Sequence, residues 1–295
     1  MKIKILGNGI WGQAVASLIQ HNKRDISFIG REEYSGDQDI LILAVPVQAM
    51  REALEFISFK THKKIVINTA KGIERGSHKL PQEIVQDILG TNVEYFALLG
   101  PSFAHEVMAK MPTIVNLAYN GKSDDLNYLI EIFQTEYFNP IPVQGVQSLE
   151  LASSFKNMYA IVCGLSEGLG YGMNTRVALL VKAMQEFRLL CQNLNFHIDQ
   201  SAAIGTTGDL ILTCNSIESR NYTFGKYLAT MTVYESLQKI GSATEGYYSL
   251  SSVKYYENNA NIKLPMLRFI DVIVKQNEPS KVKEQFLQFF KAANG

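Results

Sequence analysis

The chain has 295 residues, of which 46% are hydrophobic and 19% are charged, as is typical of a soluble globular protein with room for two domains. Its formal net charge is zero, so no long-range field draws it to nucleic acid or to an anionic membrane surface. No apolar run approaches the length of a membrane span, and no signal-peptide pattern precedes the first predicted strand. We therefore expect a cytoplasmic protein with no nucleic-acid or membrane partner.

The first predicted strand, 2–6, runs directly into a glycine-rich turn. Gly7, Gly9 and Gly12 follow it with G-x-G-x-x-G spacing, and a helical pattern then continues over 10–22. In this context Gly7 permits a tight turn, Gly9 lets the backbone approach a pyrophosphate, and Gly12 lets the helix lie close to the strand. The helix N-terminus adds N–H groups and a partial positive charge. The turn therefore predicts a dinucleotide-binding site.

Strand and helix patterns alternate through the first half of the chain. The predicted strands are 2–6, 26–29, 40–45, 64–68, 94–99, 113–119 and 138–143. The predicted helices are 10–22, 47–57, 80–89 and 124–133. Continuous apolar runs such as 40–45 are typical of strands buried on both faces, so we expect an α/β fold with a doubly wound parallel sheet of Rossmann type.

The connection between the second and third strands, residues 30–39, is unusually short. A parallel crossover usually takes at least about 10–12 residues and includes a helix. We therefore expect no normal helix here, and a reduced sheet edge where the adenosine half of a dinucleotide would lie.

From residue 146 onward the periodicity is helical almost throughout. The predicted helices are 147–168, 174–194, 199–204, 221–230, 232–240, 246–259, 265–275 and 280–291. We expect a dinucleotide-binding domain over 1–143 and an all-helical substrate and catalytic domain over 144–295, with the site between them. The three cysteines and five histidines show no metal-ligand spacing, so we expect reduced cysteines and no metal site.

The end of the second strand carries the residues that usually decide between NAD and NADP. An acid there binds the ribose 2′-OH, whereas an arginine accepts a 2′-phosphate. Arg31 favours NADP or tolerance of both cofactors, and Glu32 keeps NAD open. The alternative is a solvated run of charges at a strand end.

Two further loops follow the carboxyl ends of strands, where open α/β sheets bind ligands. Lys71 follows the fourth strand and either faces a ligand or belongs to a surface loop. Ser102 follows the Gly100-Pro101 turn after the fifth strand. Its hydroxyl either binds a ligand or caps the next segment.

Lys156 lies in a predicted helix that is apolar on nearly every side. The other residues of its helical face are small or apolar, namely Leu149, Ala152, Ser153, Tyr159, Ala160 and Cys163. Burial there would favour the neutral amine and lower the pKa of Lys156, which suits proton transfer near neutral pH. A structural lysine that reaches solvent or pairs with an acid is the alternative, and we favour the functional interpretation.

The run Gly205-Thr-Thr-Gly-Asp209 places an acid in a constrained turn of the second half. The Asp209 carboxylate could hold an ammonium such as that of Lys156. Further on, Ser219, Arg220 and Asn221 open a helix, for which Asn221 is a candidate N-cap. Their donors either form a phosphate or carboxylate receptor or only cap the helix.

Another loop-to-helix junction is Ala243-Thr-Glu245-Gly. The Glu245 carboxylate either binds a ribose or an amide or only complements the helix dipole.

Short segments with a specific family pattern occur in order over nearly the whole chain. They are Gly7-Asn-Gly-Ile-Trp-Gly, Ala70-Lys-Gly-Ile-Glu, Gly100-Pro-Ser-Phe-Ala-His-Glu-Val, Met111-Pro-Thr, Leu151-Ala-Ser-Ser-Phe-Lys-Asn, Gly208-Asp-Leu-Ile-Leu-Thr-Cys, Ser219-Arg-Asn and Glu245-Gly. Together they resemble the bacterial type of NAD(P)-dependent glycerol-3-phosphate dehydrogenase. One such segment is common, but the ordered set is highly specific.

The resemblance implies a role at each matching position. It implies that Lys156 is the general acid and base and that Asp209 orients it. The implied substrate-binding residues are Lys71, Gly100, Ser102, Ser219, Arg220 and Asn221. The implied residues of the NAD or NADP site are Gly7, Gly9, Ile10, Trp11, Gly12, Arg31, Lys71, Ala104, Arg220, Ala243 and Glu245.

The implied reaction is reversible hydride transfer between NADH or NADPH and the C2 carbonyl of dihydroxyacetone phosphate, giving sn-glycerol 3-phosphate. No metal is required, and in the family this product feeds phospholipid synthesis. The expected partners are a small phosphorylated substrate and, as one candidate assembly, a second copy of the chain in a homodimer.

The residues leave two alternative functions open. A ketopantoate-reductase-like 2-oxoacid reductase would lack the Ser219-Arg-Asn receptor and bind a carboxylate elsewhere. A non-catalytic nucleotide-binding sensor is favoured only by the short connection 30–39.

Overall fold

The computed structural model describes residues 1–30, 33–60, 62–196, 200–242 and 244–292, which fall into two compact units. Unit 1 comprises Met1–Glu74, Lys79–Leu151 and Ile198–Gly208. Unit 2 comprises Arg75–His78, Ala152–His197 and Asp209–Gly295. The domain boundary between residues 143 and 144 stays a prediction.

Unit 1 is built on a seven-stranded sheet whose strands all coincide with predicted ones to within two residues at each end. The strands are β1 (Ile3–Leu6), β2 (Ile26–Ile29), β3 (Ile40–Leu43), β4 (Ile65–Asn68), β5 (Glu94–Leu99), β6 (Thr113–Tyr119) and β7 (Phe138–Gln144). Their spatial order is β2-β1-β3-β4-β5-β6-β7. All four residues of β3 and of β4 are buried, as their apolar sequences predict.

The sheet is mixed, so the prediction of a parallel sheet is wrong for one pair of neighbouring strands, β5 and β6. Strands β2, β1, β3, β4 and β5 pair in parallel, but β5 and β6 are antiparallel, and β6 and β7 are again parallel. The link between β5 and β6 contains only the five-residue helix α4 (Ala104–Met108), which was not predicted. An antiparallel neighbour starts at the end of the sheet where the previous strand stopped, so this short link suffices.

Helices cover both faces of this sheet. The remaining helices of unit 1 are α1 (Ile10–His21), α2 (Val47–Leu54), α3 (Pro81–Leu89) and α5 (Leu126–Phe133). Helices α1, α4 and α5 contribute to the apolar core on one face, and α2 and α3 to the core on the other. The doubly wound arrangement predicted from the sequence is therefore confirmed.

The short connection after β2 contains no helix among its described residues, 33–39, as predicted. Hydrogen bonds hold it instead: Ser35 N–H donates to the Phe56 carbonyl at 3.0 Å, and Asp39 N–H donates to the Lys2 carbonyl at 3.0 Å. Lys4 forms an ion pair with Asp37 at 2.6 Å. The connection is thus tied to neighbouring backbone at this sheet edge.

Every element described in unit 2 is helical, as predicted. Its helices include the later part of α6 (Val146–Gly168), which begins in unit 1, followed by α7 (Met173–Asn193), α8 (Asp209–Asn215), α9 (Arg220–Leu228), α10 (Val233–Ile240), α11 (Glu245–Ser249), α12 (Val253–Ala260), α13 (Pro265–Gln276) and α14 (Pro279–Ala292). Among the residues that the structure describes, no helix combines the length and apolar character that a membrane span requires. Cys163, Cys191 and Cys214 are buried and unpaired, as predicted.

Three predictions for the segment 199–259 are wrong. Helix α8 was missed, and the helix predicted over 199–204 is a 3₁₀ turn (Gln200–Ala203) followed by a π-helical turn (Ile204–Gly208). The helix predicted over 246–259 is interrupted by a 3₁₀ turn (Leu250–Ser252). The Ser251 hydroxyl donates to the Tyr248 carbonyl at 2.9 Å there, a local contact with which serine competes against regular helix.

Candidate active site

The glycine turn after β1 has the geometry that its spacing predicts. Gly7 has φ +110°, a conformation that favours glycine, and an added Cβ would lie 2.6 Å from the Ala44 carbonyl oxygen. A Cβ on Gly12 would lie 2.1 Å from the Gly7 carbonyl oxygen. These two glycines let helix α1, strand β1 and the end of β3 approach one another closely.

Gly9 differs from both, because an added Cβ would have no heavy atom within 4 Å. It is the N-cap of α1, no side chain caps that helix, and no acid lies in its first turn. The first N–H groups of a helix have no partner within the helix and favour an anion. The open space at Gly9 and this uncapped N-terminus fit the pyrophosphate of a dinucleotide.

The two residues after Gly9 differ in exposure. Ile10 is 69% exposed, whereas Trp11 is half-buried and packs against the apolar core on the α1 face of the sheet. The Trp11 Nε1–H is buried without a hydrogen-bond partner among the described residues. Trp11 therefore has a packing function in addition to its predicted place in the cofactor site.

Three predicted substrate residues lie together at the carboxyl ends of β4 and β5. The Lys71 Nζ donates to the Gly100 carbonyl at 2.9 Å, and the Ser102 hydroxyl donates to the same oxygen at 3.1 Å. Ala104, predicted in the cofactor site, is the first residue of α4 just beyond them. This edge of the sheet is where ligands bind in open α/β folds.

In unit 2, Lys156 on α6 and Asp209 on α8 form a buried ion pair. The Nζ lies 2.7 Å from Asp209 Oδ1, and the two residues are 6% and 1% exposed. The Nζ also donates to the Thr213 hydroxyl at 2.6 Å, and that hydroxyl donates to the Asp209 carbonyl at 2.6 Å. The predicted contact is confirmed, and the carboxylate stabilises the ammonium form of Lys156.

Asp209 does not lie in a turn, as the sequence suggested, but is the first residue of α8. The preceding π-helical turn runs directly into that helix, so Asp209 and Thr213 lie one helical turn apart on one face. Thr213 was not among the predicted site residues, because the i, i+4 spacing of an acid and a threonine indicates a shared face only where α8 is known to be a helix.

Helices α6 and α9 are in backbone contact through glycines. A Cβ on Gly164 would lie 1.8 Å from the Tyr222 carbonyl oxygen, and one on Gly225 would lie 1.9 Å from the Ile161 carbonyl oxygen. Only glycine allows this approach, which fixes α9 relative to the helix that carries Lys156.

The predicted anion receptor lies at the N-terminus of α9. Ser219, not Asn221, is the N-cap, because its side chain accepts the Tyr222 N–H at 3.3 Å. Arg220 is exposed on the first turn. The Asn221 Oδ1 accepts the Gly246 N–H at 2.9 Å, which leaves its Nδ2 group as the donor end.

Of the remaining predicted cofactor residues, only some are among the residues that the structure describes. Glu245 is the half-buried first residue of α11, which contacts α9. Arg31 and Ala243, and with them Glu32, lie outside the described residues. In the described part of the chain, no group of three or more His, Cys, Asp or Glu side chains is arranged to hold a metal ion.

The chain is similar to one family of dehydrogenases over both halves. A family model described as NAD-dependent glycerol-3-phosphate dehydrogenase N-terminus matches residues 32–125, and the corresponding C-terminus model matches residues 145–284. A relative from Staphylococcus saprophyticus subsp. saprophyticus, named glycerol-3-phosphate dehydrogenase (NAD(P)+), is 28% identical over 94% of this chain and 95% of its own. One of the same name from Staphylococcus aureus is 29% identical over 94% of each chain. A crystal structure of glycerol-3-phosphate dehydrogenase from Coxiella burnetii matches with a TM-score of 0.85 at 27% identity, covering 98% of both chains.

Proposed function

Because the chain belongs to the NAD(P)-dependent glycerol-3-phosphate dehydrogenase family, we propose that it reversibly reduces dihydroxyacetone phosphate to sn-glycerol 3-phosphate, with Lys156 as general acid and base. It is an oxidoreductase that uses NAD or NADP. The observation that supports the role of Lys156 is its buried Nζ, which donates to two acceptors on one face of α8.

The proton is the part of the chemistry that the described residues of unit 2 supply. The nicotinamide, when bound, supplies or accepts the hydride at C2. As the C2 oxygen gains negative charge, the Lys156 Nζ donates a proton to it, and in the reverse direction the amine accepts that proton. Asp209 and Thr213 each accept a hydrogen bond from Nζ and so fix the direction of the group. General acid catalysis of this kind contributes about 10²–10⁴-fold.

The substrate phosphate needs fixed donors, which we assign to the start of α9. Arg220 offers a bidentate guanidinium, and Ser219 and Asn221 add a hydroxyl and an amide beside the helix N-terminus. Lys71, with Gly100 and Ser102, completes the proposed substrate contacts. These residue roles are supported by position and by the family resemblance.

We assign the cofactor to the glycine turn and the loops around it. Gly7, Gly9 and Gly12 would hold the pyrophosphate, and this assignment is supported by the open space at Gly9. The other assigned cofactor residues are Ile10, Trp11, Arg31, Lys71, Ala104, Arg220, Ala243 and Glu245.

Oxidation of NADH and NADPH by the purified protein tests the reaction. We expect turnover with dihydroxyacetone phosphate and none with ketopantoate, assayed in parallel. Absence of turnover with the phosphate substrate under both cofactors would contradict the proposal, and turnover with ketopantoate alone would favour the 2-oxoacid reductase.

The variant Lys156→Ala tests the assigned proton donor. We expect kcat to fall by at least about 10²-fold, while NADH affinity, read from the fluorescence of Trp11, stays near wild type. Trp11 is the only tryptophan, which makes this signal specific to the glycine turn. The exposed Lys254→Ala on α12 is the control. Retained turnover in Lys156→Ala would remove Lys156 from this role.

The proposed product carries the glycerol and phosphate found in glycerophospholipids, so we propose that it supplies phospholipid synthesis. Cells that lack the protein should then need added glycerol 3-phosphate to grow. Growth and lipid labelling that do not depend on this supplement would contradict the assignment.

A further inference from the structure

Glu150, in the first turns of α6, is a buried carboxylate of unit 1 that the mechanism above does not use. It is 1% exposed. Its Oε1 accepts the Tyr95 hydroxyl and, at 2.8 Å, the Asn68 Nδ2, while its Oε2 accepts the Gln82 N–H at 3.0 Å. Burying a carboxylate is costly, and these three donors, from β5, β4 and α3, offset that cost.

Asn68, the last residue of β4, connects this carboxylate to the following turn. Its Oδ1 accepts the Ala70 N–H at 2.8 Å, and its Nδ2 donates to the Ala70 carbonyl at 3.0 Å. The amide thus holds both backbone polar groups of the residue that precedes Lys71. Lys71 in turn donates to the Gly100 carbonyl at 2.9 Å.

We propose that Glu150 is a positioning residue for Lys71: its carboxylate fixes the orientation of the Asn68 amide, which shapes the turn over 68–71 that presents Lys71 to substrate. The inference rests on the proposed function, since it assumes that Lys71 contacts the phosphorylated substrate. It adds a residue that touches neither substrate nor cofactor.

The orientation of the Asn68 amide depends on which of its neighbours can donate a hydrogen bond. An ionised carboxylate only accepts, so Asn68 must turn its Nδ2 toward Glu150 and its Oδ1 toward the Ala70 N–H. A reversed amide would set its NH₂ against that N–H. Glutamine at position 150 has the same shape, but its own NH₂ would meet either the Asn68 NH₂ or the Gln82 N–H. The isosteric change therefore preserves volume while leaving either the Asn68 amide or the Gln82 N–H without its acceptor, and the first outcome disturbs the amide orientation.

The protonation of Glu150 makes this role dependent on pH. Burial raises the pKa of Glu150 to about 7, a nearby Glu83 on α3 adds to the rise, and the hydrogen bonds from Tyr95, Gln82 and Asn68 oppose it. Burial and the Glu150 charge also raise the pKa of Tyr95 well above its usual value, so its hydroxyl remains a donor. The carboxylate is therefore ionised above about pH 7 and neutral below it, where the wild type resembles Glu150→Gln.

The test is the KM for dihydroxyacetone phosphate in wild type and Glu150→Gln across pH 6–9. Above pH 7 we expect Glu150→Gln to raise KM about ten-fold, the loss of one charge-assisted contact, with a smaller change in kcat. The KM ratio of variant to wild type should fall toward one below pH 7. A ratio cancels the ionisation of the substrate itself, and a merely structural defect would not follow this pH profile.

Glu186→Gln is the matched control in unit 2. Glu186 is half-buried, desolvation likewise raises its pKa to about 7, and it accepts the Tyr159 hydroxyl at 3.2 Å and the Met266 N–H at 2.9 Å. We expect this variant to leave the KM ratio near one at every pH. A pH-dependent KM change of equal size in both variants would overturn the assignment.

A second variant covers the case in which Glu150→Gln does not fold. Tyr95→Phe removes a hydrogen bond that lowers the pKa of Glu150. The pH at which the KM for dihydroxyacetone phosphate changes should therefore be higher in Tyr95→Phe than in wild type. An unmoved midpoint would overturn the proposal, as would a KM ratio of one for Glu150→Gln above pH 7. A crystal structure of Glu150→Gln with the contacts of 68–71 intact would do so as well.

Failure of the proposed function gives a different result. In that case wild type itself would not turn over dihydroxyacetone phosphate, whereas failure of this inference leaves wild-type turnover intact and only the variant profile unchanged.

Discussion

Alanine substitutions at Gly9 and Gly12 separate the binding function of the glycine turn from its folding function. The two residues lie three positions apart in one turn, but an added Cβ would meet different surroundings. At Gly9 the space is open to 4 Å, and the backbone, with φ −79° and ψ 179°, is one that alanine adopts. At Gly12 the Cβ would lie 2.1 Å from the Gly7 carbonyl oxygen.

We expect Gly9→Ala to fold and to bind NADH and NADPH weakly. The methyl group would occupy the space where the pyrophosphate approaches backbone N–H groups. The loss of one charge-assisted hydrogen bond, about 1.5–3 kcal/mol, corresponds to a Kd raised 10–100-fold. The stability cost should stay at or below about 1 kcal/mol, because the methyl group meets no clash and the loss is confined to alanine being a poorer N-cap than glycine.

We expect Gly12→Ala to lose stability. The clash is with backbone, so helix α1 must shift away from the turn, and overpacking of this kind typically costs about 1–3 kcal/mol. Its melting temperature should fall by several degrees, while that of Gly9→Ala should stay close to wild type.

Thermal melts and a titration of Trp11 fluorescence with NADH measure both effects on the same samples. Wild-type NADH affinity in Gly9→Ala would refute the reasoning that this open face receives the pyrophosphate. Wild-type stability in Gly12→Ala would refute the close approach at that position.

Three further predictions concern unit 2. Arg220→Ala should raise the KM for dihydroxyacetone phosphate about 10–100-fold, whereas the exposed Arg188→Ala on α7 should not; an unchanged KM would refute phosphate anchoring. Gly225→Ala places a Cβ 1.9 Å from a carbonyl oxygen of α6 and should cost about 1–3 kcal/mol in a denaturant titration, against less than about 1 kcal/mol for Gly172→Ala, where no atom lies within 4 Å. Burial raises the pKa of Glu186 from 4.5 to about 7, so the native state binds more protons between these values, and stability falls as pH rises through this window and levels off above it. Glu186→Gln should remove this loss of stability, which amounts to up to about 3 kcal/mol over the whole window. A pH profile of melting identical to that of wild type would contradict the prediction.

Local patterns were sufficient to predict the strands and most helices of unit 1. Each buried strand is a short apolar run bounded by turn residues, and that signal is contained in four to seven consecutive positions. The direction of β6 was not predictable in the same way. It depends on how the link after Gly100 closes against the sheet, and the five-residue α4 inside that link is too short to show a helical period.

The wrong prediction of a turn at Asp209 arises from the two glycines that precede it. The run Gly205-Thr-Thr-Gly indicates a turn by composition, yet it forms a π-helical turn that continues into α8. A Cβ at Gly205 would lie 2.6 Å from the Leu149 side chain and 2.8 Å from the Asn116 Oδ1, so close tertiary approach explains that glycine better than a turn does. Because such contacts are non-local, the chain alone could not show that Thr213 faces Lys156.

Glu150 is a second residue whose role could not be predicted from the sequence. Six residues before Lys156 on an apolar helix, it carries no motif, and its hydrogen-bond partner Asn68 lies 82 positions earlier in the chain. Groups that contact ligands can be predicted from motifs, because a few consecutive residues carry their chemistry. A group that orients another side chain is recognisable only by its donors and acceptors in space. The residues predicted for this site are therefore mostly ones that contact ligands directly. The structure adds Glu150 and Thr213, which fix the direction of Lys71 and Lys156.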